Sequence, residues 1–175
     1  GKSYLASALG QKACQLGYKA LYFNTQKLFP KLKMMKADGS YSKEISKIEK
    51  YDLLILDDFG LQPFDNTARM ILLEIIEDRH ARKSTIISSQ LPVAQWYEVI
   101  GDSTVADAIL DRMVHTAHRI ELKGESLRKN RILTFNTQLL EIITDTILTI
   151  FEQRVVTMVG LMVSMTGLYI CLKMN

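Results

Sequence analysis

A chain of 175 residues, 47% of them hydrophobic, is long enough for one domain with a sizeable core. Its formal net charge of +3 creates no global field that would announce a nucleic-acid partner, so any such contact must come from local clusters. Two cysteines, Cys14 and Cys171, lie far apart without metal-ligand spacing; they argue against a zinc site and a disulfide scaffold and fit a reducing cytoplasm. The basic clusters are Lys27, Lys31, Lys33 and Lys36 early, and Arg119, Lys123, Arg128, Lys129 and Arg131 late. Lysine faces of this kind are ordinarily solvated helix surface.

In chain order, Gly1-Lys2-Ser3 comes first, running into an amphipathic stretch with Leu5, Ala8, Leu9, Ala13 and Leu16 at helical spacing and Gly17 as a stop. It reads as the GK[ST] end of a phosphate-binding loop opening a helix. Glycine lets backbone approach phosphate, lysine carries charge to the outer phosphates, and serine supplies a metal-ligating hydroxyl; the helix amino-terminus adds unpaired N–H groups. These three residues read as the back half of a longer motif, and the sequence as given is expected to carry no secretory signal. The sequence is therefore expected to be a fragment lacking its amino-terminal part.

Ala20 to Phe23 predicts a short strand, and Thr25 is placed to cap a helix from Gln26 to about Lys36, broken by Gly39-Ser40. A polar helix follows from Tyr41 to Lys50, anchored by Ile45 and Ile48. Leu53-Leu54-Ile55-Leu56-Asp57-Asp58-Phe59-Gly60 is the most informative stretch. Four aliphatic residues in a row predict a strand buried on both faces, and two carboxylates emerge at its carboxyl end, the rim where open α/β sheets bind ligands. Carboxylates there hold a divalent metal or position a water. The bland alternative is an acidic turn after a buried strand.

After Pro63, Asn66 or Thr67 is expected to cap a helix with Ala68, Ile71, Leu72, Ile75 and Ile76 turned inward. Ser84 to Ser89 predicts a third strand leaving through Ser89-Gln90, polar residues that serve either as turn chemistry or as ligand contacts. Trp96 reads as a packing anchor. Ser103 or Thr104 caps a helix through Met113 that carries Arg112, and Ala117 to Leu122 is a short strand. His115 and His118, lacking a third ligand, read as packing or surface residues. Strands alternating with helices predict a mostly parallel sheet covered on both faces.

From about Ile132 the composition shifts. Val155 to Leu172 holds eighteen residues without a charge, flanked by Arg154 and Lys173. Three readings stay open for residues 155–172: a membrane span, a buried or self-associating helix, and a non-native extension. The fold class expected is thus α/β, a parallel sheet with helices on both faces and a helical carboxyl-terminal tail, divided into a core of residues 1–131 and a tail of residues 132–175.

GKSYLA, LLILDDFG, TIISSQLP and VADAILDRMVHTAHRIELKGESLRK, in this order and spacing, make the chain resemble the IstB/DnaC-like ATPases of the AAA+ group, P-loop NTPases that assist transposition or load replicative helicases. The IELKGES stretch favours the insertion-sequence helper branch. The resemblance implies ATP and Mg2+ as cofactors. It places Gly1 in the loop, Lys2 on the outer phosphates, Ser3 and Asp57 on the metal, and Asp58 on the attacking water, a position more often held by glutamate. Ser89 or Gln90 would be the sensor of the terminal phosphate, Arg112 a finger offered to a neighbouring subunit, and Arg128 a second sensor. DNA, a transposase (alternatively a replicative helicase) and further copies of the chain are the implied partners, in the cytoplasm. It further implies that a strand ahead of Gly1 belongs inside the sheet beside the strand ending at Ser89. Without it, neighbouring strand edges are expected to be exposed, the sheet to be incomplete at its first strand, and ATP to bind weakly. A non-catalytic remnant and a membrane-anchored nucleotide-binding module are the readings of a different class.

Overall fold

The structure, a computed structural model, describes residues 1–114, 117–121 and 167–171. Helix α1 (Lys2–Gln15) leads to β1 (Ala20–Asn24), α2 (Thr25–Asp38), α3 (Tyr41–Lys50), β2 (Leu53–Phe59), α4 (Asn66–Arg79) and β3 (Ser84–Ser89). A single 3-10 turn (Val93–Gln95), α5 (Trp96–Ile100), α6 (Ser103–Val114), β4 (Ala117–Glu121) and β5 (Gly167–Cys171) complete the described chain. The strands form one sheet in the order β1-β2-β3-β5-β4. β1, β2 and β3 pair in parallel, as the strand–helix alternation predicts, and β5 runs antiparallel to both its neighbours.

The apolar run of β2 has no polar face because both its faces are covered. Leu54, Leu56 and Phe59 join Leu28, Leu32, Ile45, Ile48, Ile71, Leu72 and Ile75 in the larger core cluster, beneath α2, α3, α4, α5 and α6. Leu53 and Ile55 join Leu5, Ala6, Leu9, Ala13 and Ile86 beneath α1. That helix lies close enough for Gly10 to matter: a Cβ there would sit 2.8 Å from Ile55 Cδ1, so the helix–strand spacing depends on an absent side chain. The inward stripe of α4 is buried at each of its five expected positions.

Three helix starts differ from expectation by a residue or two. Asn24 rather than Thr25 caps α2, its side chain accepting the Gln26 N–H at 3.0 Å, and Asp65 rather than Asn66 or Thr67 caps α4 by accepting from Ala68 N at 2.9 Å. Asp102 does the same for α6, accepting from Val105 N. Asn and Asp accept these bonds as well as Ser or Thr does, so the cap is set by where the chain leaves the sheet.

The tail differs more. Of its residues, 167–171 form a strand rather than a helix, and the place beside β3 that was expected to be open is filled by β5. A short apolar run fits strand or helix equally by periodicity; the backbone N–H and C=O groups along β3 and β4 need partners, which a strand supplies and a helix does not. Among the described residues no helix is long and apolar enough to cross a membrane. The rest of the 155–172 stretch, Arg128 and His115 lie outside the described residues.

At the amino-terminal edge of the sheet, Arg79 ends α4 with its side chain 2% exposed. Its guanidinium donates to Ile48 O and Tyr51 O at 2.9 Å, to Ser84 O at 2.5 Å, to Asp52 O at 3.4 Å and to Thr85 Oγ1 at 3.1 Å. One planar fork thus ties the end of α4 to the last turn of α3, to the residues leading into β2 and to the start of β3. Burial pulls the Arg79 pKa down to about 10, with nearby Asp52 opposing, so the group stays charged at neutral pH. Replacing Arg79 with methionine preserves bulk but orphans these acceptors at about 1–3 kcal/mol for each one fully buried. The expected outcome in urea denaturation is a loss of at least about 3 kcal/mol, only partly restored by Arg79→Lys, whose ammonium cannot span the fork.

Candidate active site

Neighbouring residues of a regular strand point to opposite faces, which would send Asp57 and Asp58 to opposite sides of the sheet. β2 avoids this with a bulge. Against β3, Leu56 pairs with Ile87 but Phe59 pairs with Ser89, so one extra residue is accommodated on β2. Asp58 takes it up with φ of +56°, a left-handed conformation that aspartate tolerates several-fold better than most side chains. Phe59 thereby returns to the Leu54–Leu56 face, against Phe64 and Trp96, with ring centroids 5.3 and 4.7 Å away. The left-handed backbone gives one reason for aspartate where glutamate is more usual.

The two carboxylates are held from β1. Asn24, opposite Asp57 in register, donates from Nδ2 to Asp58 Oδ2 at 2.7 Å, while Thr25 Oγ1 donates to Asp58 O at 2.9 Å. The Tyr22 hydroxyl donates to Asp57 Oδ2. Asp57 is 2% exposed; burial pushes its pKa up, but the Ser88, Tyr22 and Ser3 hydroxyls and the Asp58 N–H more than offset this, and the net result lies below the ordinary carboxylate value. Its other oxygen, Oδ1, is buried without a hydrogen-bond partner. A buried, ionised, half-satisfied carboxylate is costly unless something cationic completes it.

Lys2 and Ser3 come to the same place. Ser3 interacts with both Asp57 and Tyr22, and Lys2 feels the charges of Asp57 and Asp58. Burial lowers the Lys2 pKa, and these two carboxylates oppose that shift. Gly1 is the N-cap of α1, its carbonyl accepting the Leu5 N–H at 2.9 Å, which leaves the helix's first N–H groups at the same end as Lys2 and Ser3. Oxygen donors from a serine hydroxyl and a carboxylate, with one carboxylate oxygen unpartnered, fit a hard divalent cation such as Mg2+.

Not every expected residue joins this cluster. Ser89 is fully buried, and its hydroxyl is committed: it donates to Phe59 O at 2.8 Å and accepts from Leu91 N at 3.0 Å and Trp96 Nε1 at 3.2 Å. It is a junction between β3 and α5 with no bonding capacity left, while the neighbouring Gln90 is exposed. Arg112 stands on α6, paired with Glu77 of α4 at 3.1 Å and donating to Ala108 O at 2.7 Å. Tyr22, Asn24 and Ser88 were missed in the sequence. Tyr22 and Asn24 alternate along β1 with the period that puts them on one face, but their register against β2 is a tertiary fact.

A family model described as IstB-like ATP binding protein matches residues 1–134. A protein of Sinorhizobium fredii described as an insertion sequence ATP-binding protein, y4pL, is 55% identical over 131 residues, covering 75% of this chain and 54% of its own length. The ATP-binding protein of insertion sequence IS21 from Pseudomonas aeruginosa is 32% identical over 142 residues, 78% of this chain and 54% of that protein. The chain thus spans about half the length of the curated relatives it matches. Among solved structures, the replication initiator DnaA bound to AMPPCP and single-stranded DNA superposes with a TM-score of 0.59 at 15% identity, over 83% of this chain and 47% of that one, a likeness of fold alone. With a parallel sheet layered by helices and a lysine–serine helix start facing paired aspartates, the chain belongs to the IstB-like ATP-binding protein family, on a P-loop AAA+ fold.

Proposed function

We propose that this chain is the nucleotide-handling core of an ATP-hydrolysing helper that acts on DNA during transposition of an insertion sequence, assisting a transposase. The convergence of Lys2 and Ser3 on Asp57, with a buried carboxylate oxygen left unpartnered, carries the proposal. The relatives described as insertion sequence ATP-binding proteins support the transposition setting over helicase loading.

In this reading Lys2 delivers its charge to the outer phosphates of ATP, and the N–H groups at the start of α1 cradle them. Ser3 and Asp57 hold Mg2+. When bound, that ion would neutralise charge developing on the phosphate oxygens. Asp58, fixed by Asn24, orients and polarises the attacking water. Gln90, rather than the committed Ser89, reads the terminal phosphate. Arg112 leaves Glu77 to enter a neighbouring subunit's site, where its permanently charged fork suits the charge that builds on the phosphate oxygens. Arg128 is assigned the second sensor in cis. The working form is an oligomer on DNA in the cytoplasm, whose binding weakens steeply with salt as Lys and Arg release counterions.

Asp58→Asn keeps a residue that accepts the left-handed backbone, so its melting temperature should match wild type while DNA-stimulated ATP hydrolysis falls about 10²-fold or more. Asp58→Ala should lose turnover and also about 1 kcal/mol of stability. Phosphate release and thermal melting on the full chain check both; turnover surviving in Asp58→Asn overturns the assignment.

Because only the protonated ammonium attracts phosphate, and burial has lowered the Lys2 pKa, ATP affinity should decline as pH rises through that lowered value, before ordinary lysines titrate. Binding titrations across alkaline pH should show this limb in wild type and lose it in Lys2→Arg, whose charge does not titrate.

Arg112→Ala should abolish turnover with nucleotide affinity nearly intact, and mixing it with Lys2→Ala should restore part of the activity, since each supplies what the other lacks. No recovery on mixing would place Arg112 outside a neighbour's site.

A further inference from the structure

The Tyr22 side chain has no evident packing reason to end in a hydroxyl. It is 42% exposed and stands on the side of the sheet that α1 covers, where water would satisfy a phenol as well as protein does. Its hydroxyl instead reaches two register positions along the sheet, from a residue paired with Ile55, to donate to Asp57 Oδ2. Asp57 is a poor place for a casual bond, being almost wholly buried and keeping Oδ1 as the one buried side-chain polar atom without a partner among the described residues. Ser3, the other member of the cation's expected donor set, interacts with the same tyrosine.

We propose that Tyr22 is a positioning residue for the cation: its hydroxyl occupies Asp57 Oδ2, fixes the rotation of the carboxylate, and leaves Oδ1 to face Mg2+ beside Ser3. This rests on the nucleotide-binding reading above. A carboxylate gripped at one oxygen cannot swing to chelate Lys2 or turn both oxygens to water, so its rotational entropy is lost on folding instead of on binding. A phenol suits the task because the ordinary tyrosine pKa of about 10 keeps the hydroxyl protonated at neutral pH, where the donor is therefore present.

The test uses the full chain and Tyr22→Phe, which keeps the ring and removes only the hydroxyl. Mn2+ binding in the presence of ATP is followed by electron paramagnetic resonance, and ATP binding in EDTA by calorimetry. Tyr22→Phe should weaken cation affinity about 10-fold or more and leave ATP affinity in EDTA and the melting temperature unchanged. A merely structural hydroxyl would lower melting temperature or affect ATP equally with and without the cation, and either result overturns the inference. So does cation affinity within about twofold of wild type. Wild type that binds no cation with ATP would instead strike the underlying nucleotide-binding reading, so the two failures are distinct.

Discussion

A β-strand alternates its side chains between two faces, and in a buried central strand both faces belong to the core. The paired aspartates of β2 meet this constraint through a single extra residue. Placing Asp58 at φ of +56° and shifting the register between Leu56 and Phe59 lets the strand keep Leu54, Leu56 and Phe59 on one core face, with Ile55 on the other, and still deliver two carboxylates to its carboxyl end. The Asn24 and Thr25 contacts hold the strained residue by its side chain and its carbonyl. Without the bulge, either Phe59 would leave the core or one acid would turn away from Lys2.

The sheet is thus specialised by end. At the amino-terminal edges Arg79 gathers free carbonyls into one guanidinium, a wholly structural use of a buried charge. At the carboxyl-terminal edges polarity is divided between two duties. Ser89 spends its full bonding capacity joining β3 to Trp96 and the Phe59 carbonyl, and by doing so fixes the exit of β3 from which Gln90 projects. Asp57 keeps one oxygen unspent. The contrast between a satisfied buried hydroxyl and an unsatisfied buried carboxylate, one strand apart, separates architecture from chemistry here.

β5 introduces a different economy. It comes from beyond the stretch that the family model matches, and it lies antiparallel between β3 and β4. Antiparallel insertion is possible because the ladder asks only for backbone donors and acceptors at strand spacing, and either direction supplies them. Among the described residues β4 pairs with β5 and with no other strand.

Much of this was legible in order of residues. The four-residue aliphatic run fixed β2 as a strand inside the sheet because nothing polar could be tolerated on either side; the α4 stripe fixed its buried face; and Gly1-Lys2-Ser3 before an amphipathic stretch marked the start of α1. Tertiary structure decided what depends on register and competition. Which of two adjacent residues caps a helix, whether a serine hydroxyl is free or consumed, and which side chains of β1 reach the carboxylates of β2 all turn on the alignment of segments far apart in sequence. The fate of 167–171 is the sharpest case, for its local pattern suits helix and strand alike, and only the unmet hydrogen-bonding demand of β3 and β4 chooses between them.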